Sequence, residues 1–138
     1  MQKVAAAVAI DAENIGACFA ERVCRVVLRR RAEETLVDQF AIGHLQHMVS
    51  WERVCQKHQI RREIMESHEK NATDGRIQEE KWRLFHRGVH CLYLVSGDGD
   101  YCACVKALRT QGCVVRGVGV RGITSPELME ACTTYAFV

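Results

Sequence analysis

Three aspartates lie just beyond the two most apolar segments of the sequence. The segment 4–10 leads directly into Asp11, and the segment 91–95 is followed by Asp98 and Asp100. A carboxylate beside a low-dielectric core is unfavourable unless it caps a helix, pairs with a base or binds a cation. Carboxylates that converge on one spot recruit a hard divalent cation, and oxygen ligands favour Mg²⁺ or Mn²⁺. Such an ion can polarise a phosphate and activate a water, so the pattern predicts phosphodiester hydrolysis.

Each acid also has an ordinary structural interpretation. Asp is preferred at helix N-caps and in turns, so Asp98 or Asp100 could cap the next helix and Asp11 could lie in a turn. Gly97 and Gly99 flank Asp98 and permit the tight backbone that would bring two carboxylates to one ligand. The joint placement favours a shared site, while the cap interpretation stays open for each residue taken singly.

Apolar strands alternate with helical patterns along the whole sequence. The predicted strands are 4–10, 37–42, 60–65, 91–95, 114–120 and 135–138. The predicted helices are 16–31, 50–58 with Ser50 as its cap, a stretch from Asp74, 100–111 ended by Gly112, and 126–132. This alternation predicts an α/β three-layer sandwich with a central, mostly parallel sheet. Ligands of such sheets bind beyond the carboxyl ends of the strands, which is where the acids lie.

Composition describes a folded protein of ordinary size. The 138 residues show no linker, so residues 1–138 are expected to form a single domain. A net charge of +2 neither supports nor excludes a nucleic-acid partner, and no apolar run approaches the ~20 residues that span a bilayer. The eight cysteines lack paired C-x-x-C spacing, so they are expected to be free thiols in a cytoplasmic protein.

Four segments of the chain together resemble the NYN domain, a family of the PIN-like nuclease superfamily. They are VAIDAENIG at 8–16, KNATDGRI at 70–77, LVSGDGDYCACVKALRTQG at 94–112 and TSPELMEAC at 124–132. The resemblance extends from the first strand to the last helix. It implies a PIN-like sandwich and a divalent-metal ribonuclease, with Mg²⁺ or Mn²⁺ as cofactor and single-stranded RNA as the expected substrate.

The resemblance also suggests which residues form the site. Asp11, Asp74 and Asp98 match metal-binding acids of the family, and Asp100 matches the second acid of the SGDGD block, in the inner or outer ligand shell. Asn14 matches the asparagine after the first acid, where it would orient Asp11 or the substrate.

Several further residues are candidates for substrate contacts. Ser96 and Thr73 are candidates for holding a metal-bound water. Lys70 and Arg76 flank the KNATD acid, where a cation could hold phosphate oxygens, although each could equally lie on a solvated face. Arg121 follows the third apolar strand and could also reach the cleft.

The helix after the KNATD block departs from the family pattern. It is polar in its first half, and Glu80 stands roughly where the family carries a further Asp, so a fourth ligand is open. This departure motivates an alternative function, a catalytically weak or inactive RNA-binding or scaffold module with the same fold. A phosphatase that uses the same acids is a third option, and the sequence leaves room for a homodimer.

Two further features have structural interpretations. Tyr101 directly follows the acid block and is expected to be the first core contact of its helix, with base stacking as the alternative. The run Arg29, Arg30 and Arg31 is interpreted as favourable charge at a helix C-terminus.

Overall fold

The computed structural model describes residues 2–66, 69 and 72–138. Strands and helices alternate through this part of the chain. The elements are β1 (Val4–Asp11), α1 (Ala20–Leu28), β2 (Glu34–His44), α2 (Leu45–His58), β3 (Arg61–Met65), α3 (Ala72–His86), β4 (Cys91–Val95), α4 (Cys102–Thr110), β5 (Val114–Gly119), α5 (Pro126–Ala131) and β6 (Thr134–Phe137). Short 3₁₀ turns at Ala17–Phe19 and Gly99–Tyr101 lead into α1 and α4.

The strands form one parallel sheet in the order β3-β2-β1-β4-β5-β6. β1 lies at its centre and pairs in parallel with β2 on one side and β4 on the other. The chain order therefore reverses between β1 and β4, the position at which open parallel sheets bind their ligands. This sheet and its flanking helices confirm the predicted α/β sandwich.

Both faces of the sheet are covered, because alternate residues of each strand enter different cores. On one face, Ala7 and Ala9 of β1 pack with Ile77 of α3 and with Val105 and Leu108 of α4. The other face is covered by α1 and α2, and its buried side chains include Val8, Ile10, Val23, Trp51 and Val95. On this second face Val114, Val120 and Val138 are only partly buried, and a groove runs between α1 and the last two strands.

Several predicted elements differ from the structure in their bounds, among them the helix predicted at 16–31, whose α-helical part spans only Ala20–Leu28. The predicted helix at 50–58 begins at Leu45, and Ser50 lies within it, donating its hydroxyl to the carbonyl of His47 at 3.0 Å. Ser50 is therefore not the helix cap. The strand predicted at 37–42 spans Glu34–His44, because pairing with β1 up to Ile42 and with β3 up to His44 extends it beyond its apolar part.

Other local predictions are confirmed. Gly112, with φ of 92°, adopts the left-handed backbone expected after the end of α4. All eight cysteines are free thiols. Within residues 2–66, 69 and 72–138, no helix is long and apolar enough to cross a membrane.

Candidate metal centre

Three carboxylates from distant parts of the chain meet at one edge of the sheet. One oxygen each of Asp11, Asp74 and Asp98 lies within 4.8 Å of the others. Asp11 ends β1, Asp98 follows β4, and Asp74 lies in the first turn of α3. Because β1 and β4 are parallel neighbours, their carboxyl ends share one edge, and α3 starts at the same edge after β3.

Asp11 is held by four hydrogen-bond donors. Its Oδ1 accepts from the backbone N–H of Glu13 at 3.1 Å and of Asn14 at 3.3 Å. Its Oδ2 accepts from the hydroxyls of Ser96 at 3.2 Å and Tyr101 at 3.1 Å. Burial raises the pKa of Asp11 although these hydrogen bonds oppose the shift. The carboxylate is thus fixed in orientation and unfavourably placed for an uncompensated charge.

Asp74 has a buried oxygen without a partner. Its Oδ1 accepts from the Tyr101 hydroxyl at 3.1 Å, whereas its Oδ2 has no hydrogen-bond partner among the described residues. Burial, followed by the charges of Asp98 and Asp11, raises the pKa of Asp74 to about 7. The Tyr101 hydroxyl has one proton for two carboxylates, so it cannot neutralise the cluster. A divalent cation would satisfy these groups, because it prefers oxygen ligands and would remove their mutual repulsion.

Asp98 combines capping with membership of the cluster. Its Oδ1 accepts from the N–H of Asp100 at 2.9 Å and caps the 3₁₀ turn, and its side chain is half-buried. The two interpretations of this residue are therefore compatible. Asp100 is exposed and lies outside the set of three carboxylates, so its role as a ligand stays a prediction.

Asn14 joins the two loops that carry Asp11 and Asp98. Its Oδ1 accepts from the backbone N–H of Gly97 at 2.7 Å. A side chain at Gly97 would approach the carbonyl oxygen of Ile123 and the Cα of Thr124 to 2.8 Å, so glycine allows the close approach of this loop. Asn14 thereby positions one ligand loop against the other.

The two hydroxyl candidates contact carboxylates of the protein itself. Ser96 is fully buried; it donates to Asp11 and accepts from the N–H of Asp98 at 3.1 Å. Thr73 is 2% exposed and donates to Glu13, which also accepts from the His44 ring. Ser96 therefore orients the cluster, and the prediction that either hydroxyl holds a metal-bound water stays untested.

Glu80 and Arg76 bind each other and lie outside the cluster. Arg76 contacts Glu63 at 2.7 Å and Glu80 at 2.6 Å, and Arg83 contacts Glu80 at 2.5 Å. The carboxylate group of three does not include Glu80. Both side chains are thus engaged in ion pairs, and Glu80 as a further ligand and Arg76 as a phosphate contact stay predictions.

The structure describes one of the two remaining predicted contacts. Arg121 is exposed after β5, with its guanidinium 4.3 Å from the centre of the Phe137 ring. Lys70 lies outside the described residues.

Tyr101 is a site residue whose polar role the sequence did not reveal. It is fully buried, as expected of a core contact, and its hydroxyl also donates toward Asp11 and Asp74. Burial and the two adjacent carboxylates raise its pKa far above the ordinary value, so it stays a donor at all physiological pH values. Its position directly after the acid block was the available signal.

Replacing Tyr101 with phenylalanine should weaken metal binding without unfolding the domain. The ring keeps its packing, but Asp11 and Asp74 lose the donor that orients them; such losses cost about 10- to 100-fold in metal affinity or activity. Mn²⁺ titration followed by calorimetry measures the effect. The variant Tyr135→Phe is the matched control, because its hydroxyl donates to the Ser96 carbonyl and not to a carboxylate. Equal Mn²⁺ affinity in Tyr101→Phe and wild type would refute the role.

Comparison with known families agrees with this architecture. A sequence model of the NYN domain family matches residues 5–138, essentially the whole chain. The chain belongs to the NYN domain family.

This NYN domain is also similar in fold to a solved structure. The crystal structure of a protein of unknown function from Vibrio parahaemolyticus superposes on it with a TM-score of 0.79 at 17% sequence identity. The alignment covers 100% of this chain and 96% of the other, and at this identity it supports the fold alone. A search of curated protein sequences finds no match. The NYN assignment and the carboxylate cluster together indicate a nuclease-like fold with a candidate divalent-metal site.

Proposed function

We propose that this NYN domain is a divalent-metal-dependent ribonuclease that hydrolyses phosphodiester bonds in single-stranded RNA. The observation that carries the proposal is the unpartnered, buried Oδ2 of Asp74 beside Asp11 and Asp98. A protein keeps such an electrostatically unfavourable cluster when a cation compensates for it. Membership of a family with the PIN-like nuclease fold supports the same reaction class.

Asp11, Asp74 and Asp98 would hold Mg²⁺ or Mn²⁺. When bound, the ion would polarise the phosphate and lower the pKa of a water. The chain itself supplies pre-organisation: Ser96 and Tyr101 fix the Asp11 carboxylate, and the backbone of residues 13 and 14 holds its other oxygen. Ligands fixed in advance need no reorganisation during the reaction.

Metal dependence and Asp98→Asn test the proposal together. Wild-type protein should cleave single-stranded RNA with Mn²⁺ or Mg²⁺, lose activity with chelator and recover when the ion is added back. Asp98→Asn should lose about 100-fold or more of the activity because a charged ligand is removed. Asp98→Asn disturbs the fold less than Asp11→Asn would. Asparagine also caps helices, so it preserves the contact between residue 98 and the N–H of Asp100. Asp11, in contrast, accepts four hydrogen bonds that its replacement would disturb.

Glu79→Gln is the matched control for charge removal. Its carboxylate is 76% exposed on α3, and it should leave cleavage unchanged. Cleavage that persists in chelator, or in a folded Asp98→Asn protein, would contradict the proposal. Hydrolysis of mononucleotides but not of oligomers would favour a phosphatase.

The second candidate function is an RNA-binding module with little or no catalysis. The observation that favours it is the ion pairing of Glu80 with Arg76 and Arg83, which leaves three carboxylates in the cluster. Thermal unfolding with and without Mn²⁺ separates the two candidates. A degraded site would show no stabilisation by Mn²⁺, whereas a functional site gains stability as the ion concentration exceeds its dissociation constant.

A further inference from the structure

One face of α1 carries arginines without acidic partners. Arg22, Arg25 and Arg29 are all exposed, and their spacing of three and four residues places them on one side of the helix. Within residues 2–66, 69 and 72–138, no ion pair joins any of them to a carboxylate, whereas many other arginines of the chain are paired. The neighbouring Arg30 pairs with Glu33 at 3.4 Å.

A helix C-terminus does not account for all of this charge. Favourable charge at the end of α1 explains Arg29 and the residues after it. Arg22, however, lies in the first turn of α1 (Ala20–Leu28), where the helix dipole disfavours a cation. Its guanidinium lies 5.1 Å from the centre of the Phe19 ring, which leaves its hydrogen-bond donors available to a ligand.

The three arginines line a groove between α1 and the last strands. A cavity of about 500 Å³ is lined by these three arginines and Arg31, and by the apolar side chains of Val26, Leu28, Phe137 and Val138. A second cavity, of about 420 Å³, shares Val26 and Arg29 with the first and continues over Val118 and Thr134. We call this groove, with Arg22, Arg25 and Arg29 as its basic wall, the arginine trough.

The trough starts at the edge of the sheet that carries the carboxylates. α1 follows β1 and therefore begins near the end of the strand where Asp11 lies. Arg121, which follows β5, contacts Phe137 near the carboxyl end of β6 and adds a cation at this edge. From there the arginines follow one another along the axis of α1 in steps of about 4.5 to 6 Å.

We propose that the arginine trough binds the phosphate backbone of single-stranded RNA on one side of the cleaved bond. The choice of RNA rests on the proposed function; the anionic character of the ligand rests on the unpaired guanidinium groups. Guanidinium groups bind phosphate oxygens in a bidentate manner, and phosphate contacts fix the register of the strand without reading its sequence. The trough therefore gives affinity and direction to the substrate, not base specificity.

Binding in the presence of chelator tests the trough separately from catalysis. Fluorescence anisotropy with labelled oligouridylate compares wild type, the trough variant R22Q/R25Q/R29Q and the control variant R53Q/R87Q/K106Q. The control removes the same charge from exposed positions elsewhere. The trough variant should bind at least tenfold more weakly than the control. The slope of log K against log salt should fall by about 2, as expected for three single-strand phosphate contacts.

A second variant tests the proposal in case R22Q/R25Q/R29Q fails to fold. R22K/R25K/R29K keeps the charge and should recover most of the binding, although lysine lacks the bidentate geometry. Equal RNA affinity in the trough and control variants overturns the proposal. The proposal is also overturned if polyglutamate displaces the labelled RNA as well as unlabelled RNA of equal charge does. The trough would then be a docking surface for an acidic protein.

Cleavage assays distinguish failure of the trough from failure of the proposed ribonuclease. A dinucleotide should be hydrolysed equally by wild type and the trough variant, while long RNA should show a raised KM in the variant. Metal-dependent cleavage with unchanged RNA binding in the trough variant overturns the trough alone. Loss of RNA binding in that variant, with no cleavage by wild type under any metal, overturns the ribonuclease and retains the trough.

Discussion

Asp74→Asn is expected to stabilise the metal-free protein and to abolish metal-dependent RNA cleavage. Burial and the charges of Asp98 and Asp11 raise the pKa of Asp74 from 3.8 to about 7. The folded-state pKa of Asp74 lies above its unfolded-state value. The carboxyl group therefore contributes favourably to stability below pH 3.8, and this contribution to the free energy of unfolding is lost as the pH rises through 7. Asparagine carries no charge and can still accept from Tyr101. We therefore expect a gain of about 2 kcal/mol in the free energy of unfolding at pH 8, discounted for partial solvation.

The same substitution should remove function because it removes a ligand charge. Cleavage should fall by about 10³-fold, and Mn²⁺ should no longer raise the unfolding temperature. Urea unfolding in chelator at pH 8 and pH 4 measures the stability, and the advantage of the variant should shrink at the lower pH. Glu79→Gln, which neutralises an exposed acid on the same helix, should change neither the rate of RNA cleavage nor the free energy of unfolding. An Asp74→Asn protein that is less stable than wild type at pH 8 would contradict the argument.

Lys81→Met should stabilise the protein by about 2 kcal/mol at pH 7. Lys81 is fully buried in α3, and no oxygen or nitrogen within the described part of the chain accepts a hydrogen bond from its Nζ. The ammonium lies 5.1 Å from the centre of the Tyr101 ring, near the thiols of Cys104, Cys113 and Cys132. Burial lowers the pKa of Lys81, because the charged ammonium is less favourable in the core than in the unfolded chain. Methionine has a similar shape and carries no charge into the core.

The pH dependence of this effect follows from the lowered pKa. The unfolded state binds the proton below pH 10.5, so the contribution of Lys81 to stability improves as the pH rises toward that value. The advantage of Lys81→Met should therefore shrink between pH 7 and pH 10 in urea unfolding. Lys106→Met, at an exposed position on α4, is the control and should change stability by less than about 0.5 kcal/mol. A destabilised Lys81→Met protein would show that the amine has a partner.

The sequence predicts those parts of the site that depend on strand ends. Asp11 and Asp98 follow long apolar runs, so their convergence follows from the parallel sheet. Asp74 has no such signal, since it begins a helix after a short edge strand, and only the resemblance to NYN domains identified it. Its closeness to Asp11 and Asp98 is a property of the folded chain.

The parts of the site that the sequence did not reveal concern α3 and Tyr101. The polar residues in the sequence of α3 suggest a helix exposed to solvent, yet the side chains of Glu80 and Lys81 are buried. The partners of Glu80 and Arg76 depend on how α3 lies beside Glu63 of β3, and local sequence does not encode this packing. For Tyr101, apolar periodicity indicates burial of the ring but not the direction of its hydroxyl.

The hydrogen bond from Gly97 to Asn14 has a consequence for the order of events in folding. It joins loops that are 83 positions apart in the chain, and its geometry depends on parallel pairing of β1 with β4. Parallel pairing brings together distant segments and therefore forms slowly, after local helices. We therefore expect the carboxylates to meet late, when the central strands have docked. Until then the nascent chain carries three ordinary, solvated acids, and their mutual repulsion acts only on the final stage of folding.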